Sequence, residues 1–292
     1  MNSNSAPFKF EYLPLLIQLE CCETTHLPAY LGSTLHGVVG WALTSNSKAY
    51  SFLFENRKFG GAKQDIVNPY IIEPPRYRPV YKPGDVLSFQ LILLGTATSY
   101  VKDVVEALAS VKQFGMGANR KPFKLINVLH GERYVPIWQA GEFYTSAAAS
   151  VVLSETVQED CSWCSIQLLT PLRIRRGGEM LLKLDFSTII RNTTKRIEML
   201  TERYGGYCDS SSIPSLMDQS ANVIERTLDV YVTQIHRYSN RREEKMDMSG
   251  LLGVMTFEGE LSAFTPWLKA ARKLHIGRNT TFGYGQLDVI FG

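Results

Sequence analysis

The chain has 292 residues, 45% of them hydrophobic and 20% charged, with a formal net charge of +3. That length suits two domains of ordinary size, each able to bury a core, and the composition excludes a wholly disordered chain. No run approaches the roughly 18 apolar residues of a membrane-spanning helix, and the polar start from Met1 to Pro7 has no signal-peptide layout.

In chain order, Phe8 to Leu19 reads as a strand and Tyr30 to Thr44 as a helix buried along Leu31, Leu35, Val38, Val39 and Ala42. A strand follows at Tyr70 to Glu73. The turn Lys82-Pro83-Gly84-Asp85 then introduces the strand Leu87 to Leu94. After Gly95, Val101, Val104, Val105, Leu108 and Val111 recur at helical spacing. This helix ends into Gly115-Met116-Gly117-Ala118-Asn119-Arg120-Lys121, and a strand runs from Phe123 to Leu129. Periodicity is then lost between His130 and Asp160.

The second half repeats the plan. Strand Ser165 to Ile174, helix Ser187 to Tyr204 and strand Val223 to His236 come first. Strand Leu251 to Phe257, Gly259 and a helix carrying Phe264, Trp267, Leu268, Ala271 and Leu274 follow. That helix runs into Gly277-Arg278-Asn279-Thr280-Thr281-Phe282-Gly283-Tyr284-Gly285 and the strand Gln286 to Phe291. Each half thus reads βαββαβ, an α+β fold of two tandem ferredoxin-like (RRM-like) domains. The expected division is 1–135, a linker over 136–160, and 161–292.

Chemistry-bearing residues gather at the glycine-rich loops. Lys112, Arg120, Lys121 and Lys124 surround the first, and Lys269, Arg272, Lys273 and Arg278 the second, with no acid inside either stretch. Glycines let a backbone approach phosphate closely, and neighbouring cations neutralise it. The competing reading of each loop is a solvated turn. Arg173, Arg175 and Arg176, before Gly177-Gly178, form a second basic feature, and Arg237, Arg241 and Arg242 within Arg237–Lys245 form a third. Neither loop has the order of a P-loop or a dinucleotide site, so no cofactor is expected.

Of five histidines, His36 stands out, with Gly32 and Gly40 one turn to either side leaving room for a ligand; the same glycines could serve helix packing. His26 is its substitute. His275 ends the last helix, where helix polarity alone gives a positive charge a reason to be. His130 and His236 carry little signal. Tyr30 and Lys48 could orient and supply charge. Cys161-Ser162-Trp163-Cys164 is a single CxxC and reads as core, not zinc. With Cys21, Cys22 and Cys208 it forms an odd set of reduced thiols, which points to the cytoplasm. The acids are scattered and suggest no two-metal cluster.

Thr170-Pro171-Leu172-Arg173-Ile174-Arg175-Arg176, the helix with Arg196 and Leu200 before Tyr204-Gly205, and the ending Leu274 to Gly285 resemble the CRISPR repeat-processing endoribonucleases of the RAMP superfamily. Leu31-Gly32-Ser33-Thr34-Leu35-His36-Gly37 and Phe114-Gly115-Met116-Gly117 fit the same family. The resemblance implies binding of CRISPR repeat RNA and metal-independent cleavage by the nucleotide's own 2′-hydroxyl. The products would carry 2′,3′-cyclic phosphate and 5′-hydroxyl ends, and the protein could join a CRISPR effector complex. The catalytic candidates are His36, His26 and Tyr30. The RNA-binding candidates are Arg120, Lys121, Arg173, Arg175, Arg176, Lys273, His275, Gly277, Arg278, Asn279, Gly283 and Gly285. The alternative is a non-catalytic RAMP subunit that holds guide RNA.

Overall fold

The computed structural model describes residues 6–55, 67–239 and 244–292. Contacts divide the chain into two compact units, 11–152 and 153–292, the latter joined by residues 1–10.

The strand β1 (Phe8–Cys21), which lies in the first unit from Glu11 on, alternates buried and open positions, so Leu13, Leu15, Ile17 and Leu19 enter the core. It is followed by α1 (Gly32–Leu43) and α2 (Ser47–Phe54), then β2 (Tyr70–Glu73), β3 (Val86–Leu94), α3 (Val101–Ala109) and β4 (Lys121–His130). The antiparallel order β2-β3-β1-β4 is that of the ferredoxin-like plan, and buried faces of α1 and α3 complete the core. Helix α2 escapes the periodicity reading because it is short. Its signal is the Asn46 N-cap, whose side-chain oxygen accepts from the Ala49 amide. Within 136–160, read from the sequence as a linker, Pro136–Gln139 pairs with β4 and extends the sheet.

The second unit repeats the arrangement with β5 (Trp163–Leu172), α4 (Phe186–Tyr204), α5 (Ile213–Ser220), β6 (Ile224–Thr233), β7 (Gly250–Glu258), α6 (Thr265–Leu274) and β8 (Leu287–Phe291). Its order, β6-β7-β5-β8, is the same. Asp185 caps α4 by accepting from the Thr188 amide, and Phe186 packs its ring on Phe257 and Phe264. The CxxC thiols are core, as their sequence context indicates: Cys161 and Cys164 are buried, and burial pushes Cys164 up to about 12.

Candidate nucleic-acid interface

The second glycine-rich loop is built from the inside. His275 ends α6 with φ 55 and is fully buried, and its Nδ1–H donates to the Tyr284 carbonyl at 3.0 Å. Tyr284, also fully buried, donates its hydroxyl to the Met248 carbonyl at 2.6 Å, and burial raises its pKa. The amides of Arg278 and Gly285 are spent on the carbonyls of Arg173 and Pro171, and that of Ile276 on the Gly285 carbonyl. Gly285 has φ 73, and a Cβ there would fall onto the Ile276 carbonyl oxygen; one at Gly277 (φ 77) would come within 2.7 Å of the Arg173 carbonyl oxygen. These glycines allow two backbones to touch, and the loop is locked to the end of β5.

Arg196 completes the lock. Its Nε donates to the Leu274 carbonyl at 2.6 Å and its Nη2 to Thr280 Oγ1 at 3.3 Å, so a buried guanidinium caps the end of α6. Burial lowers its pKa to about 10, which leaves it charged at neutral pH.

Four of the RNA-binding candidates are therefore corrected. His275, Gly283 and Gly285 lie in the interior. Arg173, 7% exposed, donates to the carbonyls of Asp247 and Ser249 and to the Asp247 carboxylate. The sequence misleads here because a glycine that permits phosphate approach also permits backbone approach. Arg175, Arg176, Lys273 and Arg278 are exposed, and Gly277 and Asn279 are half-buried. Arg175 and Arg176 form one side of a tight hairpin with Glu179–Met180. Arg176 also reaches Thr188 at the start of α4, at 3.4 Å. The stretch Arg237–Lys245 begins in an antiparallel pair, His236–Ser239 with Glu244–Asp247, and its Arg241 and Arg242 lie outside the described residues.

The first glycine-rich loop is a different object. Phe114–Met116 pairs with Lys121–Phe123, so Gly117 to Arg120 form a hairpin tip with φ 75 at Gly117 and φ 47 at Arg120. The tip lies against Thr25–Leu27, where a Cβ on Gly117 would meet the His26 carbonyl oxygen and the Leu27 side chain at 3.2 Å. Lys121 is half-buried and bonds Glu23 at 2.6 Å. The expectation of cations without a compensating acid fails at this residue, because the acid comes from another segment. Arg120 is exposed.

This hairpin brings His26 into the same neighbourhood as the loop. His26 is exposed, on a short strand paired with Val80–Tyr81. Tyr30, half-buried, lies just before α1. His36 is half-buried on α1, its ring centroid 5.1 Å from that of Phe54 and 6.2 Å from that of Tyr70. The room expected beside it at Gly40 is already taken, since a Cβ there would lie 2.8 Å from the Phe54 ring. Gly40 thus serves the packing of α2 on α1, and the imidazole lies beside two aromatic rings. Lys48, on α2, is exposed. Among the described residues no three His, Cys, Asp or Glu side chains gather so as to hold a metal ion.

Two units with the ferredoxin-like strand order, the second closed by a glycine-rich lock, define the class of fold. Residues 166–287 match the family model of the CRISPR-associated endoribonuclease Cas6, and residues 10–151 match a model described as an N-terminal domain. The second unit is thus similar to the Cas6 family of CRISPR-associated endoribonucleases over 166–287, less than half of the chain.

Solved structures share the fold at low identity. A partial Cas6-RT-Cas1–Cas2 complex superposes with TM-score 0.60 at 11% identity over 98% of this chain, which spans only 47% of that one. Thermus thermophilus Cas6 gives TM-score 0.60 at 12% identity, covering 96% of this chain and 99% of its own. A Cas6 product complex gives TM-score 0.62 at 14% identity, covering 96% and 100%. Comparison with curated proteins finds no match.

Proposed function

We propose that this chain binds CRISPR repeat RNA and cuts precursor CRISPR RNA without a metal ion, acting in the cytoplasm. The observation that carries the reading is the pairing of a Cas6-like unit with an N-terminal unit in which His36 lies beside two aromatic rings. In the step envisaged, the 2′-oxygen bonds to the adjacent phosphorus as its proton passes to an imidazole. The bond from phosphorus to the 5′-oxygen breaks, and that oxygen takes a proton. The ends are a 2′,3′-cyclic phosphate and a 5′-hydroxyl. His36 is the first choice for proton transfer, and His26, exposed beside the glycine hairpin, is the second. Tyr30 would orient the reacting ribose. Imidazole assistance is worth roughly 10²–10⁴-fold. Arg120, Arg175, Arg176, Lys273 and Arg278 are the exposed cations that would meet phosphates. The names of two neighbours, a product complex and an assembly with Cas1–Cas2, support a protein that keeps its RNA and works with other CRISPR proteins.

The test is single-turnover cleavage of a repeat RNA in excess EDTA. The rate should survive the chelator, and a 2′-deoxy substitution at the scissile nucleotide should abolish cutting while binding persists. His36→Ala should slow cleavage at least about tenfold. A wild-type rate in that folded variant moves the role to His26. Tight binding with no cutting under any condition makes the chain a non-catalytic RNA-holding subunit.

A further inference from the structure

The face of the first sheet turned away from α1 and α3 carries a row of uncharged polar side chains crossing four strands. Gln18 of β1 stands opposite Ser88 of β3 on one side and Asn127 of β4 on the other; Asn127 in turn stands opposite Gln139. Hydrogen bonds link Ser88, Gln18 and Asn127. Asn127 Nδ2 donates to Gln18 Oε1 at 3.0 Å, and Gln18 Nε2 lies 3.5 Å from Ser88 Oγ. In the next row, Leu16 stands opposite Leu129 and Gln90. Gln18, Ser88, Asn127, Leu16 and Leu129 are half-buried, and Gln139 is exposed.

From this arrangement we infer that the row reads the base edges of single-stranded RNA, an inference that rests on the RNA-binding function proposed above. A phosphate-binding surface needs cations, and this row has none. Amides present a donor and an acceptor side by side, as the edges of nucleobases do, and each amide can make up to four hydrogen bonds. The bonds along the row leave one N–H on Gln18 and one on Asn127, together with the Asn127 carbonyl oxygen. The 3.0 Å bond sets the Asn127 amide against Gln18 Oε1, so that part of the pattern is defined before any ligand arrives. Leu16 and Leu129 give an apolar surface for a base face. Single-stranded RNA is recognised in this way, through splayed bases whose edges are hydrogen-bonded. The basic loops would supply affinity and this row would supply selectivity.

The experiment measures affinity of the full chain for short homopolymers of U, A, C and G. It compares the wild type with a Gln18→Leu, Asn127→Leu double variant across a salt series. The wild type should prefer some bases. In the variant that preference should shrink about tenfold, as expected from losing base-edge hydrogen bonds, with the salt slope unchanged. Equal base preferences in a folded variant overturn the inference while the RNA-binding function stands. A wild type that binds no RNA overturns that function itself. Photocrosslinking of 4-thiouridine RNA to the wild type keeps the question open to decision if the variant fails to fold. Adducts in 16–18 or 127–129 support the row, and adducts confined to other segments sink it.

Discussion

The two glycine-rich loops look like copies in the sequence and differ as physical objects. Each follows a helix, carries glycines and cations, and leads into the fourth strand of its βαββαβ plan. The first is a hairpin tip where a Cβ on Gly117 would lie 3.2 Å from the His26 carbonyl oxygen, a tight contact that a small shift could relieve. The second is a lock in which Gly285 leaves no space for any side chain, and buried His275, Tyr284 and Arg196 hold it from within. Glycine supplies close approach in both, to a neighbouring segment in one and to the loop's own backbone in the other. A shared pattern therefore predicts a shared conformational demand, without predicting which surface meets that demand.

The sharpest way to break this comparison is to add one methyl group to each loop. Gly285→Ala must displace the Ile276 carbonyl in a left-handed conformation, and it should cost on the order of 4 kcal/mol, measured by denaturant unfolding. Gly117→Ala meets its nearest neighbours at 3.2 Å and should cost about 1–2 kcal/mol. Similar losses at both positions would make the loops equivalents after all.

The next effect in size concerns the buried cation. Arg196→Met keeps the apolar stem but strands the Leu274 carbonyl and the Thr280 hydroxyl. Leaving such buried groups unsatisfied costs ~1–3 kcal/mol each. Unfolding should lose about 3 kcal/mol, and amide exchange should speed up through 274–285. Unchanged exchange there would refute the capping role.

How much of this was legible in the sequence depends on the range of the interactions. The strands follow from alternation, and both βαββαβ orders follow from repeating the pattern. The short α2 does not, since eight residues bound by an Asn46 cap give little periodic signal. The exposed cations Arg175, Arg176 and Lys273 stand where the reading puts them, at the surface. The assignments of Arg173 and His275 fail for one reason: their partners, Asp247 and Tyr284, are found only once the chain has folded. The Glu23–Lys121 pair is 98 residues apart and equally invisible. The amide row needs register across β1, β3 and β4, which no single segment encodes.

A smaller effect sets one histidine of the first unit apart from buried His275 in the second. His130 is fully buried, and its Nδ1 accepts from the amides of Glu132 and Arg133, with Nε2 3.3 Å from the Ala149 carbonyl. Burial first, then the Arg133 charge, lower its pKa; the Ala149 bond and the Glu132 charge oppose them. A histidine with a depressed native pKa binds fewer protons folded than unfolded, so stability rises with pH across that window. The contribution is complete above the ordinary histidine value near 6.5 and is lost as pH falls toward the lower native value. His130→Gln should flatten the stability profile between neutral and mildly acidic pH. A parallel profile in the variant would assign the acid sensitivity to other groups.

The smallest effect compares the loops as RNA contacts. Lys121 already meets a carboxylate 2.6 Å away, so an approaching phosphate must compete with Glu23 for it. The pair is partly exposed, with side chains 36% and 54% accessible, and such pairs are worth only ~0–1 kcal/mol, so competition is feasible. A cation shared with an internal acid releases less than one counterion when RNA binds. Lys121→Ala should therefore lower the salt slope of repeat binding by less than the ~0.9 of a fully engaged charge. Glu23→Gln should do the reverse, tightening binding at low salt and steepening the slope as Lys121 is freed for phosphate. Exposed Arg278, on the second loop, should lower the slope by up to ~0.9 when replaced by alanine. Titrations across a salt series of the three single variants decide the matter. If Glu23→Gln leaves both affinity and slope at wild-type values, Lys121 does not reach RNA. The first loop then serves only to pack against the strand of His26.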